Sequence, residues 1–308
     1  MSKIYTSADQ LIGNTPLLEL RPVETGRNVR LLAKLEYFNP AGSAKDRIAK
    51  AMINDAEAQG LLKPGGTIIE CTSGNTGIGL ASVAARRGYQ VVIAMPDTMS
   101  PERRRVMEAY GARVVLTNGA KGVHGAVEKA RELAASIENS WLAGQFSNPA
   151  NPAAHEATTG PEIYADTDGQ VDVFVAGIGT GGTLTGVGRY LKGKKPDVKI
   201  VAVEPAGSAI LSGGQDGPHA IQGIGDGFIP EVLDTGIYDE VIPVTDGDAF
   251  AAARLMARRE GILVGISSGA ALWAGMELAR RPENEGKTIV VLLADTGDRY
   301  LSTQLFAE

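Results

Sequence analysis

The chain carries a single cysteine, Cys71, among its 308 residues, so no intramolecular disulfide can form and a reducing compartment suits it. A basic excess is missing too. Thirty Lys and Arg face 36 Asp and Glu, a formal net charge of -6, which argues against a nucleic-acid binder with its basic face. No apolar run approaches the roughly 20 residues of a membrane-spanning helix. The opening MSKIYTSADQ lacks the apolar stretch of a signal peptide. These absences lead to the expectation of a soluble, cytoplasmic protein with no nucleic-acid and no membrane partner. His124, His155 and His219 are scattered, without metal-ligand spacing, so no metal is expected. There is no G-x-S-x-G, no Walker loop, no internal repeat, no low-complexity tract and no long charge run.

What is present is apolar substance and glycine. At 44% hydrophobic the chain can bury a substantial core, which excludes disorder, and its 39 glycines exceed the usual share of roughly 7%. Strand-length apolar runs recur at 29–35, 67–71, 90–95, 113–117, 171–176, 199–203, 241–244 and 288–294. Several are continuous rather than alternating, as in strands covered on both faces. Between them, apolar spacing of three or four predicts helices over 45–59, 77–87, 101–110, 122–136, 183–191, 248–260 and 268–279. Alternating units of this kind predict an α/β protein with mostly parallel sheets wrapped by helices. Composition marks no linker. The stretch 145–161, with three prolines and much Asn and Ala, is the expected crossing between two lobes.

Two runs carry the chemistry. In Asn39-Pro40-Ala41-Gly42-Ser43-Ala44-Lys45-Asp46-Arg47, Lys45 stands where a turn-forming segment meets a helix. A lone lysine there is ordinarily a solvated charge. In the first turn it opposes the helix dipole, an effect that Asp46 partly offsets, and an amine so held with a lowered pKa suits Schiff-base formation. In Thr72-Ser73-Gly74-Asn75-Thr76-Gly77, four polar side chains and two glycines lie between a strand and a helix start. One capping residue is ordinary there; this set exceeds capping and suits anion binding by free N–H groups. Lysine and anion loop together are the minimum equipment for amino-acid chemistry on an aldehyde cofactor such as pyridoxal phosphate.

A third run, Gly177-Ile178-Gly179-Thr180-Gly181-Gly182-Thr183, satisfies G-x-G-x-x-G, and Glu204 ends the next strand. A dinucleotide reading is therefore open. The pattern alone is weak, and the tight glycine cluster with two threonine hydroxyls suits a single phosphate equally. Gly265-Ile266-Ser267-Ser268-Gly269 reads alone as a helix cap, and Ile221-Gln222-Gly223-Ile224-Gly225-Asp226-Gly227-Phe228-Ile229-Pro230 as a glycine-rich loop with one carboxylate. Cys71 reads as a strand residue beside the anion loop, and Arg103-Arg104-Arg105 as a solvated helix face.

In this order the motifs resemble cysteine synthase (O-acetylserine sulfhydrylase), a fold-type II pyridoxal-phosphate family, more its A-type than its B-type. The similarity extends to Leu11-Ile12-Gly13-Asn14-Thr15-Pro16-Leu17, Met95-Pro96-Asp97-Thr98-Met99-Ser100, Thr158-Thr159-Gly160-Pro161-Glu162-Ile163 and Gly297-Asp298-Arg299-Tyr300-Leu301-Ser302-Thr303. The resemblance implies two lobes with pyridoxal 5'-phosphate between them: a smaller mobile lobe over 40–148, and a larger one made of 1–39 and 149–308. It implies Lys45 as the Schiff-base lysine. Thr72, Ser73, Asn75, Thr76 and Gln145 would hold the substrate carboxylate, with Asn75 also reaching the cofactor's phenolic oxygen. Gly179, Thr180, Gly181, Gly182 and Thr183 would form the phosphate cup, and Ser267 would face the pyridine nitrogen. Two positions depart from the family pattern: Cys71 stands where proline is usual, and Asp226 where a small residue is usual.

The implied reaction is β-replacement: O-acetyl-L-serine and sulfide give L-cysteine through an aminoacrylate, with Lys45 as general base. The alternatives are sulfide release from L-cysteine with formation of L-serine, Asp226 activating water, and a cystathionine β-synthase-type replacement. The resemblance also implies a homodimer and a site able to take the C-terminal tail of serine acetyltransferase. The rival from another class is a dinucleotide-dependent enzyme built on 177–182, which would be colourless and form no lysine adduct.

Overall fold

The computed structural model describes residues 4–21, 27–72 and 74–307. From the N-terminus run β1 (Leu17–Glu19), β2 (Arg30–Leu35), α1 (Lys45–Ala58), β3 (Thr67–Cys71), α2 (Asn75–Arg87), β4 (Gln90–Pro96) and α3 (Pro101–Ala109). Then come β5 (Arg113–Thr117), α4 (Gly122–Ser136), β6 (Ser140–Leu142), α5 (Ala150–Ala154), α6 (Gly160–Asp166) and β7 (Val173–Gly177). The chain continues through α7 (Gly182–Lys194), β8 (Lys199–Pro205), β9 (Glu240–Val244), α8 (Asp246–Glu260), α9 (Ile266–Arg280) and β10 (Thr288–Leu293). The strands form a six-stranded sheet, β1-β2-β10-β7-β8-β9, and a four-stranded sheet, β5-β4-β3-β6. Every pairing is parallel except β1 with β2 at the edge of the larger sheet. Parallel strands need crossovers, and the helices supply them.

The continuous apolar runs now have their reason, because successive strand side chains enter different cores. In the six-stranded sheet, Leu31, Val173, Val175 and Val201 face α8 and α9, while Leu32, Phe174 and Ile200 pack with Leu184, Val187 and Leu191 of α7. In the four-stranded sheet, Ile68 and Ile93 meet Ile48, Met52 and Leu80 of α1 and α2, while Ile69, Val92 and Ala94 meet Ala126, Ala130 and Leu133 of α4. Each such Val, Leu or Ile contributes about 1.5–3 kcal/mol on burial.

Two strands escape the sequence reading, β1 and β6, each of three half-buried or exposed residues. The expected crossing at 145–161 is also more ordered than its composition suggested. It holds α5, a π-helical turn over His155–Thr159 and the start of α6 with Pro161 in the first turn. A buried ion network fixes α1 against these elements. Arg47 Nε donates to Glu36 Oε2 (2.7 Å), and Arg47 Nη2 donates to Glu162 Oε2 (2.7 Å). Lys34 Nζ lies 2.9 Å from Glu162 Oε2. Arg47 is two residues beyond Lys45, so this network sets where α1 begins. Among the described residues no helix is long and apolar enough to cross a membrane.

Candidate active site

The carboxyl ends of β3, β7 and β10 and the first turns of α1, α2, α7 and α9 open on one cleft. Its walls include Lys45, Thr72, Asn75, Thr76, Gln145, Gly179, Thr180, Thr183, Asp226 and Ser267. Residues separated by more than two hundred positions meet because the ends of parallel strands share one side of a sheet. Ser73 lies outside the described residues.

Lys45 is the first residue of α1, and Ala44 N donates to Ala294 O (2.8 Å), which docks this start onto the end of β10. Burial lowers the Lys45 amine, while the charges of Asp295, Asp226 and Glu36 pull it back up. The unprotonated amine is the nucleophile, and a lowered pKa makes that form easier to reach. Asp46, expected to offset the helix dipole, is engaged elsewhere. Its carboxylate accepts from Ala41 N (2.6 Å) and Ser43 Oγ (3.4 Å), clamping the turn that presents Lys45. Burial pushes its carboxyl up to about 7.

The loop after β3 is organised by side chains. Thr72 Oγ1 accepts from Gly74 N (3.0 Å), and Gly74 takes a φ of 148°, which only glycine adopts readily. Thr76 Oγ1 donates to Gln145 Oε1 (2.5 Å), and Gln145 Nε2 donates to Cys71 O (2.8 Å). Helix α2 starts at Asn75, two residues earlier than its apolar spacing predicts. Asn75 Nδ2 donates to Asp295 Oδ2 (2.7 Å) and its Oδ1 accepts from Arg299 Nη1 (2.5 Å). Asp295 Oδ2 also accepts from Tyr300 Oη (2.7 Å), to which Arg103 Nη2 donates (2.5 Å). Asn75 therefore binds the small sheet's loop to the segment after β10. Cys71 is no nucleophile: burial first, then Glu70, holds its thiol far above the usual range.

The loop after β7 is organised by close approach of backbone. A Cβ at Gly179 would stand 2.4 Å from Gly223 O, and one at Gly182 would stand 1.9 Å from Asn151 Oδ1. Gly181 has a φ of 81°. No side chain fits, and the first N–H groups of α7 precede the helical ladder; Gly182 N turns to Thr180 Oγ1 (3.4 Å). Behind them, Asn151 Nδ2 donates to Thr180 Oγ1 (3.0 Å) and to Gln145 O (2.8 Å). His155 Nε2 pairs with Thr183 Oγ1 (3.2 Å), and His155 Nδ1 with Thr159 Oγ1 (2.8 Å). Burial pushes His155 down to about 3, so it stays neutral and orients Thr183. The glycine cradle, the two threonine hydroxyls and the dipole of α7 fit a phosphate group, and Lys45 faces the same cleft with an amine fit for an aldehyde.

Ser267, buried in the first turn of α9, lines the same cleft. Asp226 also faces the cleft. Its Oδ2 is 3.9 Å from the Cβ position of Gly179, and burial raises its carboxyl while Lys45 and His219 oppose the rise. Sequence reasoning assigned no role to Asn151 and His155 behind the glycine loop, to Glu70 behind Gln145, or to Asp295 beside Asn75; Glu70 left a signal, a carboxylate inside the apolar strand Thr67–Cys71, and Arg299 and Tyr300 lie in the quoted motif Gly297–Thr303. Arg103, read as part of a solvated helix face, is instead fully buried and donates to Tyr300 Oη.

Comparison with known proteins agrees with this chemistry. The family model described as "Pyridoxal-phosphate dependent enzyme" matches residues 8–295. Cysteine synthase A of Escherichia coli K12 is 54% identical over 317 aligned positions, covering 100% of this chain and 97% of that protein. Cysteine synthase (OASS) from Entamoeba histolytica superposes with a TM-score of 0.94 at 49% identity, covering 99% of this chain and 91% of that one. A hydrogen sulfide-producing enzyme from Fusobacterium nucleatum superposes with a TM-score of 0.94 at 45% identity, covering 97% and 100%.

Proposed function

The chain belongs to the cysteine synthase family of pyridoxal-phosphate-dependent enzymes, and from that premise we propose that it forms L-cysteine and acetate from O-acetyl-L-serine and sulfide. The observation that carries this reading is one half-buried amine, Lys45, set between a side-chain-built anion loop and a glycine-built one. Pyridoxal 5'-phosphate supplies, when bound, the electron sink for breaking bonds at Cα and Cβ. Gly179, Thr180, Gly181, Gly182 and Thr183 would hold its phosphate, Lys45 Nζ would hold it covalently, and Ser267 would meet its ring nitrogen. A serine there would not keep that nitrogen protonated as an aspartate would, which suits elimination and replacement at Cβ over transamination.

Thr72, Ser73, Asn75, Thr76 and Gln145 bind the substrate carboxylate and so orient the Cα–H bond toward Lys45 Nζ. Once the substrate's amine has displaced Lys45 from the cofactor, the freed Lys45 Nζ would remove that proton as general base, a role worth about 10²–10⁴ in rate. The carboxylate loop belongs to the four-stranded sheet and the glycine loop to the six-stranded one. Residues 40–148 would act as the smaller mobile lobe over 1–39 and 149–308, closing on substrate to exclude water. Product analysis tests the reaction. O-acetylserine with sulfide should give cysteine far faster than cysteine alone gives sulfide; no cysteine from the first mixture overturns the reading.

A second reading rests on Asp226. Its carboxyl, raised by burial and facing Lys45, is placed to take a proton from water and direct the oxygen to Cβ. The chain would then convert L-cysteine and water to L-serine and sulfide; the Fusobacterium nucleatum protein is named as hydrogen sulfide-producing. Asp226→Ala should raise cysteine synthesis relative to sulfide release several-fold. An unchanged ratio leaves the synthase reading alone. We carry a homodimer, a cytoplasmic location and capture of a serine acetyltransferase tail as parts of the family reading; sedimentation and a tail-peptide pull-down test the dimer and the tail.

A further inference from the structure

Glu70 is the fourth residue of β3 and has no exposed surface. Its carboxylate meets backbone amides: Cys71 N donates to Oε1 (2.7 Å) and Gln145 N donates to Oε2 (3.0 Å). These two amides belong to different segments. Cys71 precedes Thr72 at the end of β3, and Gln145 follows β6 in the loop leading to α5. Gln145 then closes a ring, since Nε2 donates to Cys71 O and Oε1 accepts from Thr76 Oγ1. One carboxylate thus sets the spacing between the two arms that flank the anion loop.

The two amides, rather than the apolar packing around them, call for an acceptor here. Burial raises the Glu70 carboxyl to about 7, against the pull of the N–H groups of Gln145 and Cys71. An apolar side chain at 70 would avoid that desolvation but leave Cys71 N and Gln145 N without their acceptor. A group retained at such a cost has a local task.

We propose that Glu70 is a positioning residue for substrate-carboxylate recognition, tying the strand end that bears Thr72 to the segment that bears Gln145. This rests on the reading that the Thr72 loop takes the substrate carboxylate. Glu70 does not touch substrate; it holds the amides on either side of the loop at the separation a carboxylate requires. In Glu70→Gln the amide keeps one acceptor and turns a donor toward the other backbone N–H, so one arm is released. In Glu70→Asp the charge stays, but the shorter side chain cannot span both amides.

The test uses holoenzyme and two probes without a leaving group at Cβ, L-alanine and L-alaninamide, titrated by the change in cofactor absorbance. The wild type should bind L-alanine at least tenfold better than the amide. Glu70→Gln and Glu70→Asp should cut that preference about tenfold while leaving alaninamide affinity, cofactor content and the far-ultraviolet dichroism unchanged. If both probes weaken equally, Glu70 is a folding residue and the proposal falls. It falls equally if the preference survives in both variants. A wild type with no preference overturns the carboxylate-loop reading itself, and the Glu70 proposal with it. If Glu70→Gln does not fold, Glu70→Asp decides alone.

Discussion

The two loops that face Lys45 are built by opposite means. After β7, the chain approaches Gly223 O and Asn151 Oδ1 so closely that Gly179 and Gly182 admit no side chain, and the proposed phosphate ligands there are chiefly the chain's own N–H groups. After β3, the site is a ring of side chains, with Thr72, Thr76, Gln145 and Asn75 each holding a partner. The first arrangement is rigid and insensitive to a neighbour's rotamer. The second can rearrange, because each bond joins two torsions. A cofactor phosphate that stays bound suits the first; a substrate carboxylate that must enter and leave suits the second.

Removing the group both loops serve should have the largest effect. Lys45→Ala should lose about 10³ or more in turnover, and borohydride reduction followed by peptide mapping should find no adduct at position 45. An adduct on a different lysine of the wild type would overturn the assignment. Breaking the glycine side comes next. In Gly182→Ala the new Cβ meets Asn151 Oδ1, which costs about 1–3 kcal/mol as overpacking. Cofactor affinity should fall at least tenfold while the preference for L-alanine over L-alaninamide survives in whatever holoenzyme forms. Breaking the side-chain loop should do the reverse. Asn75→Ala removes one partner each from Asp295 and Arg299, and should raise KM for O-acetylserine about tenfold or more with a smaller loss of cofactor than Gly182→Ala. Equal losses of cofactor in both variants would erase the distinction.

The smallest effect concerns pH, and its sign differs between the two sides. His155, behind the glycine loop, is depressed from 6.5 to about 3. Between those values the unfolded chain binds a proton that the folded chain refuses, so stability present above pH 6.5 is lost as pH falls through the window. Glu70, behind the side-chain loop, is raised from 4.5 to about 7. The folded chain keeps a proton there that the unfolded chain releases, so this contribution, present below pH 4.5, is lost as pH rises toward 7. His155→Gln should flatten the acid limb of a Tm–pH curve by a few degrees, and Glu70→Gln should flatten the fall between pH 4.5 and 7. Variants that move the same limb would refute the contrast.

Much of this was legible in the residues. Eight apolar runs predicted strands that form, because a strand covered on both faces needs apolar side chains at every position, as Ile68 and Ile69 illustrate by entering different cores. Helices α1, α3 and α4 begin where their spacing and turn residues place them. Strands β1 and β6 were not legible, since three half-exposed residues carry no period. The π-helical turn His155–Thr159 was not legible either, because its five residues depart from the repeat of three or four that marks a helix.

The local order of residues determined by itself where backbone could be bare and where an amine could meet a helix start. Gly177 to Thr183, Thr72 to Gly77 and the turn before Lys45 each carry their conformation in neighbouring side chains or in the lack of them. Which charges act on Lys45 was decided only by the tertiary structure. Asp46 is adjacent in sequence yet turns away to Ala41 N, while Asp295 and Asp226, some 250 and 180 positions distant, face the amine. Hydrogen bonding at a turn depends on neighbours along the chain. Electrostatics in a cleft depends on distance through space, and parallel strands bring together ends that the sequence keeps far apart.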